Sequence, residues 1–481
     1  MSHTESATQT AATYFPSLRF EPDVIETLGR SGPRYTSYPT ADRFDNGFTY
    51  ANYLEAVAAV RMRGVRSPLS LYLHIPFCES LCYYCACNKV ITRDRSKAVV
   101  YLDYLKREIA MQANLFQGLS QVDQLHFGGG TPTYLDDEQM GDLMAYLRKH
   151  FEFAPDAEGE YSIEIDPRTV SPERVHVLRE QGFNRISLGV QDFDPNVQKA
   201  VNRIQPEEET LGVIRAAREA GYRSVSIDLI YGLPLQSMDS MRATLAKVIA
   251  ANPDRISLYN YAHMPHLVKA QRMINEADMP TPALKLDLLA LCINTLCGAG
   301  YVYIGMDHFA RPEDELALAQ RQGRLHRNFQ GYSTHAGANL VSCGVSAISA
   351  VGNTYCQNEK TLDEYYAALD EGRLPVARGK RLETDDLLRR IVIQALMCNF
   401  ELSTAAIEQT YPIQFWSYFA AERSELEALA KDGLLVLEPD WISVTLKGRL
   451  LIRNICMVFD RYLQQAPVLA GPQPLRYSRT I

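Results

Sequence analysis

Six short apolar runs, each followed by a stretch of helical periodicity, set the rhythm of the middle of the chain. Ser70–Ile75, Gln121–Gly128, Tyr161–Asp166, Arg185–Val190, Arg223–Ile230 and Arg255–Ala262 read as strands. Helical patterns separate them at Ala98–Gln112, Asp137–His150, Pro172–Gln181, Pro206–Ala220 and Asp239–Ala251, and another follows at Pro282–Ala299. Pro172 and Pro206 sit where a first helical turn tolerates proline, and Gly182, Gly221 and Gly300 sit just past the predicted ends. Repeated strand–helix units predict an α/β fold: a parallel sheet with both faces covered, closed or partly closed into a barrel.

The flanks read differently. Met1–Phe20 is rich in Ser, Thr and Ala and is expected to be mobile, Ser31–Asp45 is dense in turn residues, and Tyr53–Met62 reads as a short helix. Residues 301–360 are rich in Gly, Ser and Asn and are expected to form loops over a pocket, with Leu374–Arg381 as a linker. Glu383–Leu463 reads as helices, a hairpin at Leu434–Thr445 and a last helix, similar to a winged helix. The expected division is an N-terminal arm over 1–66, a barrel over 67–375 and a helical lid over 376–481.

Polar residues gather at the ends of the predicted strands. His74, Gly128–Thr131, Glu164 with Asp166, Gln191 with Asp192, Asp228 and His263 lie at or beyond strand C-termini. That edge is where barrels and open parallel sheets place their sites.

Composition narrows the class. Of 481 residues, 46% are apolar and 22% charged, which is ordinary for a globular protein, and the net charge is −8. An acidic balance speaks against nucleic-acid binding, and the acidic-to-neutral stretch Gln414–Leu429 makes a poor reading helix. No 18-residue apolar run predicts a membrane span, and residues 1–20 lack a secretory signal pattern. Six cysteines (Cys292, Cys297, Cys343, Cys356, Cys398, Cys456) are scattered, whereas Cys78, Cys82, Cys85 and Cys87 cluster; this predicts a reduced, cytoplasmic protein with one metal site.

Cys78, Cys82 and Cys85 form a C-x3-C-x2-C array. Three thiolates can hold three irons of a [4Fe–4S] cube, which leaves the fourth iron for another ligand. A structural zinc site would need four closed ligands, and no second CxxC pair exists to complete one. Gly128-Gly129-Gly130-Thr131-Pro132 follows a strand, where absent side chains let a ligand approach the backbone. Glu164, Gln191, Arg203 and Asp228 suit a ligand carrying hydroxyls, an ammonium and a carboxylate, with Arg203 as a positive fork. His126 and His308 read as locally hydrogen-bonded rather than metal-binding.

With these motifs together, the chain resembles the radical S-adenosylmethionine (SAM) enzymes, and within them the oxygen-independent coproporphyrinogen III oxidase (dehydrogenase) family. The resemblance spans Ser31 to Ile481 and rests on PRYTSYPT, HIPFCESLCYYCACNK, FGGGTPT, SIEIDPR, LGVQDF, NRIQ, IDLIYGLP, GMDHFARP, GVSAIS and KGRLLIRNICM. It implies a (β/α)6 three-quarter barrel with an N-terminal arm and a mainly helical, winged-helix-like C-terminal domain. It implies that Cys78, Cys82 and Cys85 ligate the cluster and that Cys87 does not. It assigns Tyr72, Gly129, Glu164 and Ile348 to a SAM on the fourth iron, and Tyr84, Gly130, Thr131, Gln191, Arg203, Asp228 and Ala262 to a second SAM beside it. Ahead of GVSAIS the family pattern carries two aspartates and a glycine, where this chain has Gly337, Asn339 and Ser342.

The implied activity is anaerobic decarboxylation of two propionates of coproporphyrinogen III to the vinyls of protoporphyrinogen IX, in haem synthesis. A 5′-deoxyadenosyl radical from reduced cluster and SAM would take the β-hydrogen. The partners implied are that substrate and an electron donor of the flavodoxin or ferredoxin kind; nothing in the sequence demands more than a monomer. Arg34, Arg168, Arg311 and Arg327 are candidates for the substrate carboxylates. The competing reading is a haem-binding chaperone of the same superfamily. Against it stand the YTSYPT arm, Cys87-Asn88-Lys89 and the lack of an HNxxYW sequence.

Overall fold

The six predicted strands form, and they lie side by side in chain order. In a computed structural model, which describes residues 29, 31–64 and 66–464, they are β1 (Leu69–Ile75), β2 (Val122–Gly129), β3 (Glu160–Ile165), β4 (Arg185–Gln191), β5 (Ser224–Tyr231) and β6 (Arg255–Asn260). Every neighbouring pair is parallel, with registers such as Leu71 opposite Leu125 and Ile227 opposite Ile256. The first strand does not pair with the sixth, so this is a part-barrel. The mobility expected for residues 1–20 falls outside the described residues.

Alternation drives the arrangement. Along β1, Leu69, Leu71, Leu73 and Ile75 are buried on one face, and along β3 Tyr161, Ile163 and Ile165 are buried likewise. The helices Ser96–Phe116, Asp137–His150, Pro172–Glu180, Glu207–Glu219 and Met238–Ala251 connect the strands, close to their predicted spans. Three of their starts are capped by side chains: Asp136 and Ser237 form capping boxes, and Ser171 accepts from Arg174 N. Pro206 lies one residue before its helix rather than inside the first turn.

The largest departure from the sequence reading is in residues 301–360. Asn339–Cys343 is a seventh parallel strand, β7, paired to β1 on the side away from β2. Antiparallel β8 (Ile348–Val351), β9 (Thr354–Asn358) and β10 (Val376–Arg381) extend the sheet from there. These strands are only a few residues long and carry Asn, Ser and Cys, so propensity hides them; burial between neighbouring strands decides them. The predicted linker 374–381 is therefore largely a sheet strand.

The chain divides into two compact units. One comprises Phe44–Pro280 and Gly337–Arg381; the other comprises Met1–Arg43, Thr281–Ala336 and Leu382–Ile481. The boundaries expected at 66/67 and 375/376 do not coincide with this division. The first unit holds the part-barrel and the antiparallel extension. In the second, helices Pro282–Gly298, Thr384–Asn399, Ala420–Lys431 and Ile452–Val458 accompany a three-stranded sheet whose hairpin is Leu435–Leu437 with Trp441–Val444. The stretch predicted as one helix from Gln414 is broken at Phe419, whose ring is buried against Phe415 and Phe459.

Candidate functional site: a three-cysteine cavity at the strand ends

Beyond Ile75 the chain forms a loop stapled at both ends. Phe77–Cys78 pairs with Val90–Ile91, and Val90 N and Thr92 N donate to the carbonyls of Pro76 and Cys78 at 2.7 and 2.9 Å. His74 braces the return limb, its Nε2 2.9 Å from the Asn88 carbonyl. A carbonyl only accepts, so Nε2 carries the hydrogen and Nδ1 accepts from Tyr72 Oη at 3.2 Å. Burial lowers the pKa of His74 and keeps this ring neutral. Further along, Tyr83 N donates to Val201 O at 3.0 Å, Asn202 Nδ2 to Leu81 O at 2.8 Å and Lys89 Nζ to Cys85 O at 2.7 Å.

The loop opens onto a cavity of about 410 Å3 at the C-terminal ends of β1 to β5. Its lining includes Cys78, Cys82, Cys85, Tyr84, Gly129, Gly130, Thr131, Glu164, Gln191, Arg203 and Asp228, all named from the sequence. Tyr72, Ala262 and Ile348 lie outside that lining. Tyr72 stacks on His126 with ring centroids 5.8 Å apart. Ala262 O accepts from Gln271 Nε2, which also reaches Tyr84 O. Ile348 O accepts from Ser342 Oγ at 2.6 Å, and Asn339 Oδ1 accepts from Gly352 N at 2.9 Å, so the residues that differ from the family pattern close their hydrogen bonds locally.

Strand-end geometry explains which side chains arrive. A register shift between Gly189 and Gln191 and a left-handed φ of 65° at Gln191 turn that side chain to the cavity. Its neighbour Asp192 is buried away from it, accepting from Thr244 Oγ1 at 2.7 Å and Gln236 Nε2 at 2.6 Å. Gly130 N and Thr131 N donate to Ile75 O and Phe77 O, so an ammonium at this turn would meet carbonyl oxygens, the only groups it can use. His126 is satisfied by Ser162 Oγ and by Glu164 Oε1 at 3.0 Å, as expected of a locally bonded histidine.

Charge is unevenly placed. Burial would raise the pKa of Asp166, but Arg203 and Arg168 outweigh it and hold the carboxyl below its usual value. Asp228 goes the other way: burial first, then the Glu164 carboxylate, push it up to about 6, against hydrogen bonds from Ser257 and Ser187. Burial pushes the Cys78 thiol up to about 11. Cys85 is drawn down to about 6, first because Cys87 donates to it and also because the Lys89 ammonium is near; Cys87 is raised correspondingly.

Comparison with known proteins decides the family. A radical SAM superfamily model matches residues 72–248 and a HemN C-terminal domain model matches 382–451. The chain is 52% identical over 447 residues to an oxygen-independent coproporphyrinogen III oxidase of Pseudomonas aeruginosa, covering 93% of this chain and 97% of that protein. It is 52% identical over 442 residues to the Escherichia coli protein of the same name, covering 92% and 95%. The solved Escherichia coli coproporphyrinogen III oxidase, described as a radical SAM enzyme, matches with a TM-score of 0.88 at 50% identity, over 93% of this chain and all of that one. The chain belongs to the oxygen-independent coproporphyrinogen III oxidase family. It is a radical SAM enzyme, and these relatives are oxidases rather than chaperones.

Enzymes of this family use a [4Fe–4S] cluster and SAM, and the residues present fit both. Among the described residues no three His, Cys, Asp or Glu side chains converge on one metal ion; three thiolates that each take a separate iron have no need to. A Cβ at Gly128 would stand 2.9 Å from Glu164 Oε1, and one at Gly189 2.8 Å from Gln191 Nε2, so bare backbone keeps the polar groups of the cradle in place. The Arg203 fork expected to face a carboxylate is already engaged: Nη1 with Asp166 and Nη2 with Gly189 O at 2.5 Å. Its buried Nε is the donor without a partner, and a ligand carboxylate would satisfy it.

Sequence reasoning missed the role of Asp166 as the shared partner of two arginines and of Asn202 and Lys89 as staples of the cysteine loop. The D-P-R turn at 166–168 was a usable signal for the first: Pro167 begins a short 3-10 helix that Asp166 caps. Arg168, a candidate for substrate carboxylates, is likewise engaged by Asp166.

Proposed function

We propose that this chain converts coproporphyrinogen III to protoporphyrinogen IX without O2, removing two propionate carboxyls as CO2 and leaving vinyl groups. The observation that carries the reading is one cavity that gathers Cys78, Cys82 and Cys85 with the Gly129–Thr131 edge and the rim of Glu164, Gln191, Arg203 and Asp228, in a chain alike over nearly its whole length to oxidases of that name. Cys78, Cys82 and Cys85 would hold the cluster. Tyr72, Gly129, Glu164 and Ile348 would serve a SAM on its open iron, and Tyr84, Gly130, Thr131, Gln191, Arg203, Asp228 and Ala262 a second SAM.

When bound, cluster and SAM supply a carbon radical strong enough to take an unactivated propionate hydrogen. The protein's own part is placement and shielding. Glu164 and Asp228 are acceptors suited to ribose hydroxyls, and Arg203 Nε is a donor suited to a carboxylate. Water would be kept from the reacting carbon once the ligands fill the cavity. The electrons would come from a one-electron donor of the flavodoxin or ferredoxin kind, and the protein would work as a cytoplasmic monomer without nucleic acid.

The test is anaerobic turnover of reconstituted protein with SAM, a low-potential reductant and coproporphyrinogen III. Release of CO2 with appearance of divinyl product is expected. A cluster-replete protein that cleaves SAM yet leaves the propionates intact would refute the substrate assignment.

A further inference from the structure

Two guanidinium groups converge on one of the three cysteines. Arg203 Nη1 stands 3.5 Å and Arg168 Nη2 3.6 Å from Cys82 Sγ. Asp166 grips both: it accepts from Arg203 Nη1 at 3.1 Å, from Arg168 Nε at 2.9 Å and from Arg168 Nη2 at 2.6 Å. Cys78 Sγ, by contrast, receives the neutral hydroxyl of Thr131 at 3.4 Å. Two cations against one carboxylate leave a net positive charge beside Cys82. The three side chains are only 8, 19 and 10% exposed for Arg203, Arg168 and Asp166, so water screens that charge weakly.

A brace of the strand end would need nothing beyond the Asp166 fork. Arg168 goes further and shares Nη2 with the sulfur. Arg203 belongs to the proposed SAM site, whereas Arg168, a candidate for a substrate carboxylate by sequence, already has its Nε and Nη2 committed to Asp166 and Cys82.

We propose that Arg168 is a positioning residue for cluster reduction: held by Asp166, it donates to Cys82 Sγ and makes the cluster easier to reduce by one electron. The inference rests on the radical SAM reading of the site. Reduction adds one negative charge to a cube already made anionic by thiolates and sulfides. A cationic N–H donor at a ligand sulfur stabilises that added charge more than it stabilises the oxidised form, and the potential rises. The electron still comes from the external low-potential donor; Arg168 changes how far the transfer runs.

The experiment is an EPR-monitored redox titration of anaerobically reconstituted wild type, Arg168→Gln and Arg168→Lys, without substrate, with iron and sulfide measured on each. At the potential where half the wild-type cluster is reduced, the reduced-to-oxidised ratio should fall about tenfold in Arg168→Gln, the loss of one charge-assisted hydrogen bond. Arg168→Lys should lie between, because the ammonium keeps the positive charge but lacks the second nitrogen with which the guanidinium grips Asp166 while Nη2 reaches the sulfur. An iron-replete Arg168→Gln protein with the wild-type ratio overturns the proposal. Should that variant fail to hold iron, an iron-replete Arg168→Lys protein with the wild-type ratio overturns it equally. Wild type that takes up no cluster would defeat the underlying reading at the start, before any variant is compared.

Discussion

Gly129 lies against the His74 imidazole so closely that a Cβ there would stand 2.7 Å from Nδ1 and Cε1. The backbone at Gly129 has φ 114°, a region that L side chains rarely adopt. The ring that would be struck is the one that braces the cysteine loop through Asn88 O. Gly129→Ala is therefore expected to cost about 2–5 kcal/mol, from strain and overpacking together. It should also loosen the loop. Thermal unfolding checks the first effect, and cluster content after reconstitution checks the second.

Cys82 and Cys87 make a contrast within one loop. Cys82→Ser removes one of the three proposed iron ligands, and the purified protein should lose most of its iron and its brown thiolate-to-iron absorbance. Cys87→Ser should retain both. Iron and labile-sulfide assays with visible spectra separate the outcomes; iron retained equally in both would remove Cys82 from the ligand set.

Glu108 is a buried hub. Its carboxyl accepts from Gly344 N at 2.7 Å, Tyr365 Oη at 2.6 Å and Asn358 Nδ2 at 2.7 Å. Burial outweighs these bonds and pushes its pKa up from 4.5 to about 7. Between those values the folded state keeps a proton that the unfolded chain has released, so this group's contribution to stability falls as pH rises through the window and is level above it. The size is about 3 kcal/mol. Denaturant unfolding at several pH values should show wild type losing stability relative to Glu108→Gln from pH 5 to 7. Parallel curves would refute it.

Tyr35 Oη donates to Asp460 Oδ2 at 3.0 Å, and both residues are buried. Beside them, Arg453 Nε donates to Pro33 O at 2.9 Å. Tyr35→Phe leaves a buried carboxyl short of a donor and should cost about 1–3 kcal/mol, read as a lower denaturation midpoint. The result bears on why the YTSYPT segment is needed at all: it packs as part of the second unit.

Legibility followed the range of the interaction. The strand and helix spans were readable because each element carries its own period, as in Asp137–His150, which formed as predicted. The gathering of Glu164, Gln191 and Asp228 was readable because parallel strands put their C-terminal ends on one edge. Glu108 was not readable. It follows Lys106 and Arg107 on a helix, where a charged run looks like a solvated face. Asn339–Cys343 was not readable either, because a five-residue strand gains its stability from the buried neighbour it pairs with.

By itself the sequence determined the order of strands and helices, the three-thiolate array and the edge of the sheet on which the polar residues would meet. These follow from local periodicity and spacing, which need no knowledge of distant partners. Only the tertiary structure decided that Asn339–Cys343 flanks β1 and that Asp166 holds Arg168 and Arg203 against Cys82. It also decided that Tyr72, Ala262 and Ile348 stand outside the cavity lining. Those outcomes depend on which residues far apart in the chain come within hydrogen-bonding distance, and packing alone settles that.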